Sequence, residues 1–183
     1  TPLLNAARVD NIALLKLLLS HPGIETNVTT AGDTTILDWA VTDEDEEAVS
    51  VIAAPNSKFM RNSSEKARSS VQLAITRGNP IVFNVLIKSG IASINQRFDG
   101  DATTLHLATI YESIEIVRYL LRYVNSEETG NAVDINALDA VGRTALHFAC
   151  DEGYLEIVSL LLNVQGIEVN IEDTEYIFVS LLI

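Results

Sequence analysis

An alanine that returns on a fixed spacing constrains this chain more than any other feature. Ala6, Ala40, Ala74, Ala108 and Ala149 are separated by 34, 34, 34 and 41 residues, each inside the same local pattern. A period between about 20 and 50 residues marks a repeat architecture, in which each unit buries its apolar face only against its neighbours. The fullest copy runs from Asp139 to Asn170. Asp139 to Gly142 form a turn, with Gly142 free to take positive φ. Thr144 is placed to cap a helix through its hydroxyl. Leu146, Ala149 and Cys150 fall three and four apart on one face, and Gly153 breaks the helix. Glu156 to Leu162 then reads as a second helix, too apolar for a solvated surface. Two helices this short cannot form a core alone, so the copy needs the others.

The other copies keep the register with local departures. Thr1-Pro2-Leu3 aligns with Thr144-Ala145-Leu146, and the turn expected before it is missing, so the chain reads as cut from something longer. Ala31 to Ala40 (AGDTTILDWA) matches Asp99 to Ala108 (DGDATTLHLA), with Asp38 in a histidine slot and Trp39 in that of Leu107 and Phe148. This second copy carries an acidic turn, Asp43 to Glu47, and a weak second helix with Ala53 in place of leucine and Pro55 as terminator. The third has Ser69, Val71 and Gln72 in the motif, after a polar turn over Asn62 to Arg68. The fourth is sharp again at Thr103, Leu105, His106 and Ala108, and a polar insert, NSEETGNA, accounts for the longer spacing that follows. Asn27, Asn95, Asn136 and Asn170 close the first, third, fourth and fifth copies. Asp173 opens a sixth, and Phe178 to Ile183 stand where its first helix belongs.

The strings TALHFA, TTLHLA and TPLLNA, each followed in register by a leucine-rich helix, resemble the T-P-L-H-x-A signature of ankyrin repeats. The likeness covers essentially the whole chain. It implies an all-α repeat solenoid: helix-turn-helix pairs joined by β-hairpin-like turns, about five repeats plus the start of a sixth. The expected organisation is one domain, 1–183, with repeats near 1–29, 30–63, 64–97, 98–138 and 139–172 and a partial copy at 173–183. It also implies that His106 and His147 bridge turn and helix by hydrogen bonds, and that binding occurs on a concave face built from turn tips and the outer side of each first helix.

Composition bounds the function. A net charge of −13 repels nucleic acid, and no basic stripe with interleaved aromatics offsets it. No stretch is long and apolar enough to suggest a membrane helix. One cysteine excludes an internal disulfide and suits a reducing, intracellular and cytoplasmic setting. Cys150 lies in a small-residue slot shared with Ala7, Val41, Ile75 and Thr109, which reads as a packed thiol rather than a nucleophile. Asp43 to Glu47 lack the loop pattern of a calcium site, and no glycine opens a phosphate-binding motif. The expectation is therefore a non-enzymatic module without cofactor or metal: a scaffold that binds a protein partner. The alternative is a tethering or regulatory segment of a larger channel or multidomain enzyme, and the runner-up to both is a spacer with no partner.

Carrying the concave slots over copy by copy gives Arg8 and Val9, Thr42 and Asp43, Thr76 and Arg77, Ile110 and Tyr111, Asp151 and Glu152, with tips at Ala31 and Gly32, Glu65 and Lys66, Asp99 and Gly100, Ala140 and Val141. Apolar and aromatic groups in such slots point to an interface, the alternative being that Phe98 folds under its own turn and Tyr111 covers a neighbouring helix. The candidate partner-binding set is Arg77, Phe98, Ile110, Tyr111, Val141, Arg143, Asp151 and Glu152, centred on Phe98, Ile110 and Tyr111. Apolar residues at both ends, Leu3 and Leu4 and then Phe178 to Ile183, raise the further expectation of fraying or end-to-end self-association, unless 171–183 folds back as a cap.

Overall fold

The computed structural model describes residues 1–9, 11–26, 28–30, 34–54, 64–124 and 132–174. Asn27, the tip at Ala31 and Gly32, Pro55, insert residues 125–131 and the segment Phe178 to Ile183 lie outside them, as do the side chains of Glu65 and Lys66. Among the described residues there are ten α-helices and two isolated β-bridges. The chain forms two compact units, Thr1–Ala92 and Ser93–Ile183.

The first unit holds three helix pairs: α1 (Pro2–Arg8) with α2 (Ile12–Ser20), α3 (Ile36–Thr42) with α4 (Glu46–Ile52), and α5 (Ser64–Arg77) with α6 (Pro80–Lys88). First helices stack on first helices, α1 on α3 and α3 on α5, while α2 packs on α4 and α4 on α6. The second unit repeats the arrangement with α7 (Thr104–Ile110), α8 (Ile114–Leu121), α9 (Ala145–Asp151) and α10 (Leu155–Leu162). The period is thus a packing period. The marker alanines show why a small residue recurs: Ala6, Ala40, Ala74, Ala108 and Ala149 are all buried, where first helices approach their neighbours.

Local chemistry sets the helix ends. Thr35, Thr103 and Thr144 each accept from the backbone N–H three residues on, and the side chain at that third position closes a capping box. Second helices in the first unit start on Asn11, Asp45 and Asn79, residues in one repeat slot whose side chains cap α2, α4 and α6. The acidic run of the second copy is distributed by this grammar. Asp43 ends α3, Glu44 turns the chain at φ 56°, Asp45 caps α4, and Glu46 and Glu47 fill its first turn, where the helix dipole favours negative charge. The β-hairpin-like turns are visible at Arg97↔Thr103 and Thr29↔Thr35.

Two expectations are corrected. The polar turn over Asn62 to Arg68 is, from Ser64 onward, the start of α5, which runs for 14 residues. The stretch contains neither Gly nor Pro, and Glu65, Lys66, Ala67 and Arg68 are good helix formers. Leu3, expected at an open apolar end, is fully buried, and Leu4 is half-buried.

Candidate protein-binding surface

The histidine slot builds the scaffold under the surface. His106 Nδ1 accepts from the Thr103 backbone N–H at 3.0 Å and lies 2.8 Å from the Thr103 hydroxyl, while Nε2 sits 3.0 Å from the Arg143 carbonyl of the next copy. A carbonyl can only accept, so Nε2 carries the proton. The ring is 1% exposed and meets Phe148 edge-on at 5.8 Å. Burial pulls its pKa below the ordinary 6.5, against the Arg143 carbonyl and the Asp139 charge, which favour the protonated form; Arg97 and Arg143 add to the lowering. His147 repeats the contact with its own threonine, Nδ1 accepting from the Thr144 N–H at 3.1 Å. Asp38 performs the same job with other atoms: Oδ2 accepts from the Thr35 N–H and hydroxyl at 2.9 and 2.8 Å, and Oδ1 accepts from Ser70 in the next copy at 2.5 Å.

Successive loops are tied together as well. The Asn95 side-chain amide donates to the Ala132 carbonyl and that of Asn136 to the Gly166 carbonyl, at 2.7 and 2.8 Å, which explains the recurring terminal asparagine. The Arg97 guanidinium donates to the Asp101 and Leu138 carbonyls, and the Ala140 N–H to the Gly100 carbonyl. The turn tips of the fourth and fifth copies are therefore one hydrogen-bonded row.

On this scaffold the expected contact slots fall as follows. Arg77, Asp151 and Glu152 are exposed at the ends of their first helices. Ile110 and Tyr111, at the end of α7, are 38% and 42% exposed, and Val141 is 36% exposed on its tip. Phe98 departs from the expectation. Its side chain is only 6% exposed, folded beneath its turn while its backbone N–H donates to the Ala102 carbonyl, so it supplies no anchor to a partner. Arg143 is also committed internally. Its guanidinium donates to Asp139 Oδ2 from Nε and an Nη at 3.2 Å and lies 4.2 Å from the Phe148 ring centroid. Burial raises the Asp139 pKa, but the backbone N–H groups of Arg143 and Val141 and the Arg143 side chain outweigh it, leaving the carboxyl below its usual range.

Cys150 is a third correction. It is exposed rather than packed, although Val41, Ile75 and Thr109 in the same slot are buried. Within their units α1, α3 and α7 are each covered by the next first helix, whereas among the described residues no first helix follows α9. Cys150 and His147 line a cavity of about 220 Å³ with Asp151 and Asp173.

The first unit carries a larger feature that no motif announced: a cleft of about 520 Å³ between α3 and α5, with Asp38, Thr42, Gln72 and Thr76 among its walls. Charge is unevenly divided between the units. Residues 1–92 hold eight Lys and Arg against ten Asp and Glu, a net −2, whereas residues 93–183 hold four against fifteen, a net −11.

Stacked helix pairs, capped by a Thr-x-x-His box and joined by hairpin turns, define a helical repeat protein. The family described as ankyrin repeats (3 copies) matches residues 71–173, more than half of the chain, which therefore belongs to the ankyrin-repeat family. Ankyrin repeats are generally protein–protein interaction modules. Among similar proteins, the ankyrin repeat protein nuc-2 of Neurospora crassa is 28% identical over 66% of this chain, and the putative ankyrin repeat protein L371 of Acanthamoeba polyphaga mimivirus is 30% identical over 48%. The acyl-CoA-binding domain-containing protein 6 of Danio rerio is 43% identical over 23%. The matches span 11%, 10% and 14% of those relatives' own lengths. No helix among the described residues is long and apolar enough to cross a membrane.

Proposed function

We propose that the chain is a non-enzymatic, cytoplasmic scaffold module whose partner contact centres on Ile110 and Tyr111. One observation carries this reading: two consecutive large apolar side chains stay more than a third exposed at the end of α7. The same two slots hold Thr76 and Arg77 in the copy before and Asp151 and Glu152 in the copy after. Leu17, Ile81 and Leu155 are more exposed on second helices, but Ile110 and Tyr111 are adjacent at the end of a first helix, and aromatic groups are frequent binding anchors. Val141, Asp151 and Glu152 supply an apolar edge and two carboxylates, so the favoured partner offers an apolar residue flanked by basic ones. Arg77, in the slot of Tyr111 one copy earlier in the sequence, is a separate candidate contact in the first unit. Phe98 and Arg143 are left out of it.

The test is the double variant Ile110→Ser, Tyr111→Ser on the whole chain. Both side chains reach solvent, so the melting temperature should stay within about 3 °C of the parent. Proteins cross-linked and captured by the immobilised parent should be depleted at least about tenfold with the variant. Unchanged capture would overturn the reading. The small share of each relative's length that the matches span supports a second reading, in which the array tethers or regulates a larger protein. The sequence period further supports treating residues 1–183 as one domain.

A further inference from the structure

The cleft between α3 and α5 is hollow for a reason in the sequence. The slot that holds Ile110 in the fourth copy and Asp151 in the fifth holds Thr42 and Thr76 in the second and third, so short hydroxyl side chains replace longer ones. The hydrogen bonds show which chemistry the walls offer. The Thr42 hydroxyl donates to the Asp38 carbonyl at 2.7 Å, and the Thr76 hydroxyl donates to the Gln72 carbonyl at 2.8 Å. Both protons are spent within their own helices, and each Oγ1 is left as an acceptor. Asp38 lines the wall with a carboxylate whose oxygens already accept from Thr35 and Ser70, so it adds negative charge rather than a free acceptor, and Gln72 adds an exposed amide whose oxygen accepts.

The surrounding field has the same sign. Thr42 is the last residue of α3, where the helix dipole is negative. That last turn carries no basic residue, Asp43 caps it, and Asp45 to Glu47 follow. Arg68 and Arg77 on α5 are the described cations of these two helices, and neither lines the cleft. The cleft is therefore a set of separated acceptors on two opposed walls. A guanidinium offers five donors in a planar fork and an ammonium only a point charge, so several separate acceptors favour arginine over lysine.

We propose that this cleft takes the guanidinium of an arginine offered by a protein partner. The proposal rests on the chain being a protein-interaction module, and it adds a second contact, in the first unit, to the one at Ile110 and Tyr111.

The probe is the acetylated and amidated peptide Gly-Ser-Arg-Ser-Gly, titrated into the whole chain and followed by backbone amide NMR shifts. Its counterpart carries citrulline, which keeps the shape and loses the charge. Saturable shifts at Thr42, Gln72 and Thr76 are expected with arginine, with citrulline at least about tenfold weaker. Thr42→Val with Thr76→Val removes both acceptors at nearly constant volume and should weaken the arginine peptide about tenfold, with unchanged circular dichroism. Equal response to arginine and citrulline in the parent chain, a comparison that needs no variant, overturns the proposal. So do shifts confined to the amides of Asp43 to Glu47, which would mean diffuse charge attraction. If the Ile110/Tyr111 variant abolishes partner capture while the arginine peptide fails to bind, the cleft proposal falls and the module reading stands. If capture is unaffected by that variant, the module reading falls first.

Discussion

His106 and Asp38 answer one structural demand with different atoms. Each satisfies the N–H and hydroxyl of its capping threonine and reaches one residue of the next copy, Arg143 for the histidine and Ser70 for the aspartate. The histidine solution makes folding sensitive to pH. Burial lowers the folded pKa of His106 below 6.5, so between those values the unfolded chain binds a proton that the folded chain refuses. Its contribution is whole above pH 6.5 and is lost as pH falls from there through the folded pKa. His106→Gln, which installs the residue already present at Gln72, should flatten the difference in urea midpoint between pH 7.5 and 5.5 relative to the parent. Equal differences in both proteins would show that His106 is not the group responsible. The bridging role of His106 was legible through the resemblance to ankyrin repeats, which implies it where the threonine–histidine pair recurs. The inward fold of Phe98 and the internal commitment of Arg143 were not. Whether a turn side chain lies under its own loop depends on contacts that one copy's spelling does not encode.

At the scale of the helix pair, one slot between first and second helices takes positive φ in every copy where it is described: Glu44 at 56°, Gly78 at 64°, Glu112 at 51° and Gly153 at 73°. Glycine accepts this conformation freely, whereas a glutamate there stores on the order of 1 kcal/mol, partly offset by glycine's larger unfolded-state entropy. Glu112→Gly should therefore raise the unfolding free energy by about 0.5 kcal/mol, and Gly153→Val should lower it by more than about 1 kcal/mol. Shifts of the same sign in both variants would show that backbone conformation does not govern this turn. Gly153 as a breaker was legible. The acidic run that hides the same turn at Glu44 looked like an undivided loop, because cap, turn and first-turn residues are all acidic there. A second element-scale regularity appears only in three dimensions. Lys16 pairs with Glu47 at 2.9 Å and Arg118 with Glu156 at 2.6 Å, the same two slots on adjacent second helices. All four groups are well exposed, so these pairs contribute little to stability.

For the molecule as a whole, the sequence predicts more unity than composition does. The period passes through Ala92 and Ser93 undisturbed, since Ala74 and Ala108 keep the 34-residue spacing, yet residues 93–183 carry a net −11 and residues 1–92 only −2. In a repeat protein, stability is a sum of weak copies and strong nearest-neighbour terms, so an unbroken register favours a single cooperative transition. Self-repulsion in the acidic half opposes it, most strongly at low salt. The chain supplies its own probes for deciding between them. Trp39, the single tryptophan, sits on α3 and reports the second copy by fluorescence, while far-ultraviolet circular dichroism reports all ten described helices. At 150 mM salt the urea curves from the two probes should coincide if residues 1–183 form one domain. Curves that separate even at 150 mM salt would mean that the acidic half unfolds on its own and the chain is two domains with one repeat register. Curves that separate only at low salt would identify charge as the term that competes with stacking.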